Sequence, residues 1–259
     1  MPDTALAKGT RPEGAQSEAD AARKVREMFS QIAPRYDLLN HLLSLQFDRL
    51  WRARVTRRLR HILDPPDALA LDLCCGTGDL ALSLAAAGKA RVIGADFAHP
   101  MLVRAKEKSA SASSSASHPC IQAISFFEAD ALRLPFADRS FDLVTTAFGF
   151  RNLANYEAGL REIYRVLKPG GTLAILEFTE PPAGFLGSLY RWYFRRILPR
   201  IGGWLSGDRS AYTYLPASVA RFFRPRELAS LLQTVGYSDV DFRVWTFGTV
   251  ALHTAVHPS

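Results

Sequence analysis

The sequence predicts an α/β fold, a doubly wound and mostly parallel Rossmann-like sheet with helices on both faces. Three observations predict it. Short apolar runs of strand length alternate with segments of helical period from residue 69 to residue 178. A glycine turn, Cys75-Gly76-Thr77-Gly78, joins the first run to the first helix of that series. Acidic residues, Asp96 and Asp130, stand where successive strands end, and ligands in such sheets sit at the carboxyl ends of the strands.

Taken in order, residues 1–22 read as a disordered lead-in, polar and lacking an apolar signal core. Residues 23–64 read as a helical cap, with Val25, Met28, Phe29, Ile32 and Tyr36 in one stripe broken by Pro34. Pro65 and Pro66 end it and open a core domain over 65–259. Leu69, Leu71 and Leu73 alternate with small or acidic residues as a buried strand, and Leu80, Leu82 and Leu84 open a helix after the glycines. A helix N-terminus offers free N–H groups, and glycine lets a ligand approach closely. Ala90–Ala95 is a second strand ending at Asp96, followed by a helix over His99–Lys108. Ser109–Ser117 (SASASSSAS) reads as a flexible surface loop. Strands follow at Ile121–Phe127, Phe141–Ala147 and Thr172–Phe178, with a helix over Tyr156–Leu167 stopped by Pro169, Gly170 and Gly171. The aromatic- and arginine-rich stretch Pro181–Phe223 breaks the alternation and reads as a helical lid. A last helix, Leu228–Val235, precedes an antiparallel hairpin of Asp239–Trp245 and Thr249–Ala255 at the sheet edge.

The 259 residues are 48% hydrophobic and 22% charged, enough for a full core. A net charge of +7 admits an anionic partner but equally a solvated positive face. The arginines crowded between Arg49 and Arg60 are read in the second way, as a solvated helix face. Three cysteines, two of them adjacent, support neither a disulfide framework nor a zinc site, which predicts a reducing, cytoplasmic setting and no metal. No run of eighteen apolar residues predicts a membrane span.

The turn Gly76-Thr77-Gly78-Asp79-Leu80-Ala81 fits the dinucleotide fingerprint G-x-G-x-x-G/A, with Asp96 eighteen residues after Gly78. On that motif alone an NAD-dependent oxidoreductase stands as a reading. Three carboxylates, Asp72, Asp96 and Asp130, repel a diphosphate and suit the sulfonium and ammonium groups of S-adenosyl-L-methionine. Asp96 then takes the ribose hydroxyls, and Asp130 or its neighbour Ala131 the adenine edge.

The segments LDLCCGTGDL, GADFAHPML, EADALRLPF, FDLVTTAFGFRNL and RVLKPGGTLAILEF, in that order, resemble the class I methyltransferases. Beyond the class, Tyr36-Asp37-Leu38-Leu39-Asn40, Phe148–Asn152, Arg165–Glu177 and Ser210–Ser218 resemble the C-methyltransferases of menaquinone and ubiquinone biosynthesis, over about Val25 to His253. The resemblance implies cofactor contacts at Thr77, Asp96, Asp130 and Ala131, within a site that includes Asp72, Gly76 and Gly78. Relatives often carry serine where this chain has Ala147, so only a backbone contact remains there. Implied too is methyl transfer to a ring carbon of a reduced polyprenyl quinone precursor, with demethylmenaquinol preferred and a ubiquinone precursor, or both, as the alternative. Phenols ionise near pH 10, so a cation beside the hydroxyl is valuable; Arg151 is the candidate. Tyr36 and Asp37 are candidates for proton relay, and Asn40, Phe148, Asn152, Tyr212 and Tyr214 for the quinol pocket. Cys74 and Cys75 read as packing rather than as nucleophiles. The polyprenyl tail gives residues 185–205 a purpose in peripheral contact with the anionic inner face of the membrane. A homo-oligomer is left open. Three other classes are weighed: the oxidoreductase, an RNA methyltransferase and a non-catalytic binder. No nucleic-acid recognition module and no Asn-Pro-Pro-Tyr-like motif is found, and the glycine turn is intact.

Overall fold

The structure, a computed structural model, describes residues 9–44, 46–113, 124–180 and 210–259, with the side chains of residues 39, 41–43, 113 and 210–213 outside that description. The N-terminal cap comprises helices α1 (Glu18–Ile32), α2 (Tyr36–Leu43) and α3 (Phe47–Leu63). Ser17 caps α1 by accepting from the Asp20 amide, and Pro34 sits in the tight 3-10 turn that ends it. The core then alternates as predicted: β1 (Leu69–Leu73), α4 (Asp79–Ala87), β2 (Arg91–Asp96), α5 (His99–Ser113), β3 (Ser125–Glu128), β4 (Phe141–Ala147), α6 (Tyr156–Val166) and β5 (Leu167–Phe178). Helices α7 (Ser210–Arg221) and α8 (Pro225–Val235) precede β6 (Ser238–Trp245) and β7 (Val250–Val256).

The seven strands stand in the order β3-β2-β1-β4-β5-β7-β6. The first five are parallel, and β7 runs antiparallel to both of its neighbours. Strand order therefore reverses between β1 and β4, where Leu71 pairs with Val144, and a crevice opens beyond their carboxyl ends. Alternation along the strands feeds two apolar layers. Leu71, Leu73 and Val144 pack with Leu160 and Ile163 of α6, whereas Ala70 and Leu143 pack with Val55 and Leu59 of α3 and Leu80 and Leu84 of α4.

Three expectations change. The serine-rich stretch is helical through Ser113, because Ala105 and Ser109 are buried and continue the inward face of α5; residues 114–123 lie outside the described ones. β5 begins at Leu167 rather than Thr172. The residues between them bulge, so that Phe141 faces Leu167 while Leu143 faces Thr172, with Gly170 at φ +79°. Finally, residues 9–22, expected to belong to a disordered lead-in, lie on the protein: 18–22 open α1, with Ala21 buried, and 9–17 pack ahead of it. The Thr10 amide donates to the Leu153 carbonyl at 2.8 Å, the Arg11 guanidinium donates to the Ala154 carbonyl, and Thr10 is buried. The approach is so close that a Cβ on Gly9 would lie 1.9 Å from the Ala154 oxygen. Of the expected lid only Ser210–Arg221 and its flank are described, and the stretch assigned to membrane contact, 185–205, lies outside the described residues.

Candidate active site

β1 ends in a turn where Cys74, Gly76 and Gly78 all have positive φ, at +54°, +53° and +82°. Glycine reaches this region freely, but Cys74 does so at a cost, so the turn must be held from outside. It is. The Cys75 amide donates to the Ala95 carbonyl at 3.0 Å and the Gly76 amide to Asp96 Oδ2 at 2.9 Å. The end of β4 is strained in the same way, with Phe148 at φ +59° wedged against Trp51 and Phe178. The two turns touch, since a Cβ on Gly149 would lie 2.3 Å from Cys74 Cβ.

Between them lies a cleft of about 700 Å3, including its open mouth. Its lining brings together Tyr36, Gly76, Asp96, Asp130, Ala131, Ala147, Phe148 and Asn152, all of which the sequence singled out. Among the described residues that line it, the charged side chains are Asp96 and Asp130, both acids. Asp96 is held by the amides of Gly76 and Ala98, and burial pushes its carboxyl above the usual range. Asp130 accepts from the Leu132 amide and thereby shapes the turn that presents Ala131. Burial and the surrounding carboxylates raise the Cys74 and Cys75 thiols well above the ordinary value, so both stay protonated and pack rather than react.

Other expected residues stand behind this wall. Asp72 does not line the cleft: it shares its face of β1 with Ala70 and accepts from the Thr145 hydroxyl at 2.9 Å. Burial pushes its carboxyl up to about 7, and its Oδ2 is buried without a partner. Thr77 is also buried, donating to Asp37, and Lys108 of α5 reaches Asp37 Oδ2 at 2.9 Å and the Asp79 carboxylate. That network ties α2 to the glycine turn. Gly78 packs against Ala105 and Phe126. Asn40 hydrogen-bonds the Tyr36 phenol, whose burial raises its pKa, so Tyr36 remains protonated at neutral pH. Tyr214 donates to Asn152 Oδ1 at 2.9 Å and meets the Thr10 hydroxyl at 2.8 Å; the Tyr212 side chain lies outside the described ones.

Arg151 is 5% exposed and does not line the cleft. Its guanidinium lies 3.0 Å from Glu177 Oε2, its amide donates to Glu177 Oε1 at 3.0 Å, and it also donates to the Phe148 carbonyl. Burial alone would lower its pKa, but the charge and hydrogen bond of Glu177, together with the nearby Tyr214 and Tyr36, outweigh that and keep it ionised. The Arg151 Nε–H is buried without a partner. Sequence reasoning missed Glu177 and Lys108. The signal for Glu177 was present: a lone acid in the apolar run TLAILEF has to find a buried cation. For Lys108 there was none, because its three partners come from two distant segments.

The residues fit S-adenosyl-L-methionine better than a dinucleotide, because the charged side chains lining the cleft among the described residues are both acids, which oppose a diphosphate and accommodate a sulfonium. Among solved structures, the [4+2]-cyclase SpnF is similar with a TM-score of 0.64 at 18% identity, over 96% of this chain and 99% of that one. A SAM-dependent methyltransferase of Thermotoga maritima, described as a possible histamine N-methyltransferase, is similar with a TM-score of 0.62 at 18% identity, over 90% and 99%. At such identities these share the fold alone. Sequence relatives go further. The demethylmenaquinone methyltransferase of Thermus thermophilus is 49% identical over 89% of this chain and 100% of its own length. That of Deinococcus radiodurans is 46% identical over 90% and 92%. The ubiquinone/menaquinone biosynthesis C-methyltransferase UbiE of Geobacter sulfurreducens is 39% identical over 91% and 89%. Residues 16–257, from the cap through the last strand, match one family from end to end, and the chain belongs to it: the ubiE/COQ5 methyltransferase family.

Proposed function

We propose that this chain transfers a methyl group from S-adenosyl-L-methionine to a ring carbon of a reduced polyprenyl quinone precursor, demethylmenaquinol. As a member of the ubiE/COQ5 family it is a methyltransferase. The observation that carries the cofactor reading is the cleft at the switch point, whose charged lining side chains among the described residues are two carboxylates. The relatives at 49% and 46% identity, both named for demethylmenaquinone, support the substrate. Those named for ubiquinone as well, at 39% and 40%, support dual activity as the second reading.

In this reading Asp96 holds the ribose hydroxyls, Asp130 and the Ala131 backbone hold the adenine edge, and Gly76 leaves room beside them. The bound cofactor supplies an electrophilic methyl group. The protein's part is to orient the quinol, exclude water and stabilise negative charge on its ring oxygen. Arg151 supplies that charge from behind the Phe148 wall of the cleft: its Nε–H has no partner, and Glu177 and the Phe148 carbonyl hold its Nη1. Tyr36 is protonated at neutral pH and so serves as a donor, not as the base. Asp37, engaged by Thr77 and Lys108, positions the helix that carries Tyr36. Phe148 and Asn152 line the quinol side of the cleft, with Asn152 oriented by Tyr214.

The test is turnover with demethylmenaquinol and, separately, with the demethylated ubiquinol precursor, both kept reduced. Methylation of the naphthoquinol alone supports the first reading, and methylation of both supports the second. Binding of S-adenosyl-L-methionine with no methylation of either overturns the substrate assignment.

A further inference from the structure

The start of α3 and the turn between β6 and β7 form one surface that the site chemistry above does not use. Phe47 and Leu50 are each more than two-fifths exposed, and Phe247 is 78% exposed. Phe247 also holds a left-handed backbone at φ +56°, so an aromatic ring is displayed to solvent from a conformation that disfavours it. Beneath this surface lies the buried Trp51. Its indole N–H donates to the Thr246 hydroxyl at 2.8 Å, and its ring stacks on Phe47 with centroids 6.2 Å apart. Its inner side meets Phe148, with centroids 5.7 Å apart, and Phe148 lines the cleft. An unbroken aromatic path thus runs from the surface to the site.

The surroundings are cationic. α3 carries six arginines and one aspartate, and that aspartate, Asp48, is buried against Arg52. Arg54 lies over the Trp245 ring at 5.8 Å, and Arg58 is paired with Asp241. Arg49 and Arg57 are exposed and make no ion pair among the described residues. Apolar tips on a helix that also carries exposed arginines match the boundary between acyl chains and anionic headgroups, where the tips enter hydrocarbon and the guanidiniums meet phosphate.

We infer that this face docks on an anionic lipid bilayer and admits the polyprenyl tail of the substrate along Trp51 and Phe148. The inference rests on the quinol-methylating reading for its substrate, but not for the docking itself. The experiment is flotation of the full chain with vesicles of phosphatidylcholine alone or mixed with phosphatidylglycerol. Three proteins are compared: wild type, Phe47→Gln/Leu50→Gln/Phe247→Asn and Arg49→Gln/Arg57→Gln. Asparagine tolerates the left-handed backbone, so the turn is preserved. The wild type floats with the anionic vesicles, and each variant binds them about tenfold more weakly. A quinol with a short, water-soluble tail is methylated at the wild-type rate by all three, while the variants show a raised KM for long-tailed quinol in vesicles. Flotation of the variants equal to wild type, or no flotation of the wild type, overturns the inference. Failure of the wild type to methylate the short-tailed quinol counts against the proposed reaction instead, and leaves the flotation result to decide the docking.

Discussion

Replacing Glu177 by glutamine strands the Arg151 charge. Both side chains are almost wholly buried, at 1% and 6% exposure, and their charged atoms lie 3.0 Å apart. Removing one member of such a pair costs about 3–5 kcal/mol, because the remaining ion is neither solvated nor paired. For a chain of this size that corresponds to a fall in Tm of roughly 6–20 °C. Glu177 also accepts from the amides of Arg151 and Phe178, so the turn that carries Phe148 and Asn152 to the cleft loosens as well. The double variant Arg151→Met/Glu177→Leu removes both charges and fills the space with apolar atoms. It is expected to recover most of the lost stability. Turnover is expected to stay down by about 100-fold or more, the usual loss when a donor to developing negative charge is removed. Thermal melting, S-adenosyl-L-methionine binding and quinol turnover on the three proteins separate these effects. Melting of Glu177→Gln within about 1 kcal/mol of wild type would refute the stability argument. Wild-type turnover by the double variant would remove Arg151 from the chemistry.

Two further outcomes follow from buried groups. The Asp72 carboxyl, raised by burial from 3.8 to about 7, stays protonated in the folded protein where the unfolded chain has lost its proton. Its contribution to stability therefore falls as pH rises through that window, by about 4 kcal/mol in all. Asp72→Asn, melted without cofactor, should gain on wild type between pH 4 and pH 8 by that order; a gain independent of pH contradicts the assignment. Gly9→Val cannot dock where its Cβ would lie 1.9 Å from the Ala154 oxygen, so hydrogen exchange at the Thr10 amide should accelerate by tenfold or more, about 1.4 kcal/mol. Unchanged protection there would show that the segment does not depend on that contact.

The parts legible in the sequence were those whose cause is local. Leu69, Leu71 and Leu73 make a strand by alternation, Gly76 and Gly78 make a turn by their backbone freedom, and Asp96 lies one strand further on, so a few dozen residues specify half the cleft. The end of the next strand pointed to Asp130 and Ala131, the family motifs added Phe148 and Asn152, and the fold brings all four to the lining of one cleft. Tertiary structure alone decided which acids face the ligand. Asp72 and Asp96 look alike as acids at strand ends, yet Asp72 turns beneath α3 and α4 while Asp96 faces the cleft. Partnership across distance was equally hidden: Glu177 behind Arg151, Lys108 against Asp37, and Gly9 on Ala154 each join segments far apart in the chain. Composition made residues 9–17 read as disordered, because polar residues bury little surface of their own; docking is possible only after α6 and its preceding turn present free carbonyls at Leu153 and Ala154. Sequence periodicity and backbone freedom determine elements and turns, whereas the burial and pairing of charge depend on what the rest of the chain brings alongside.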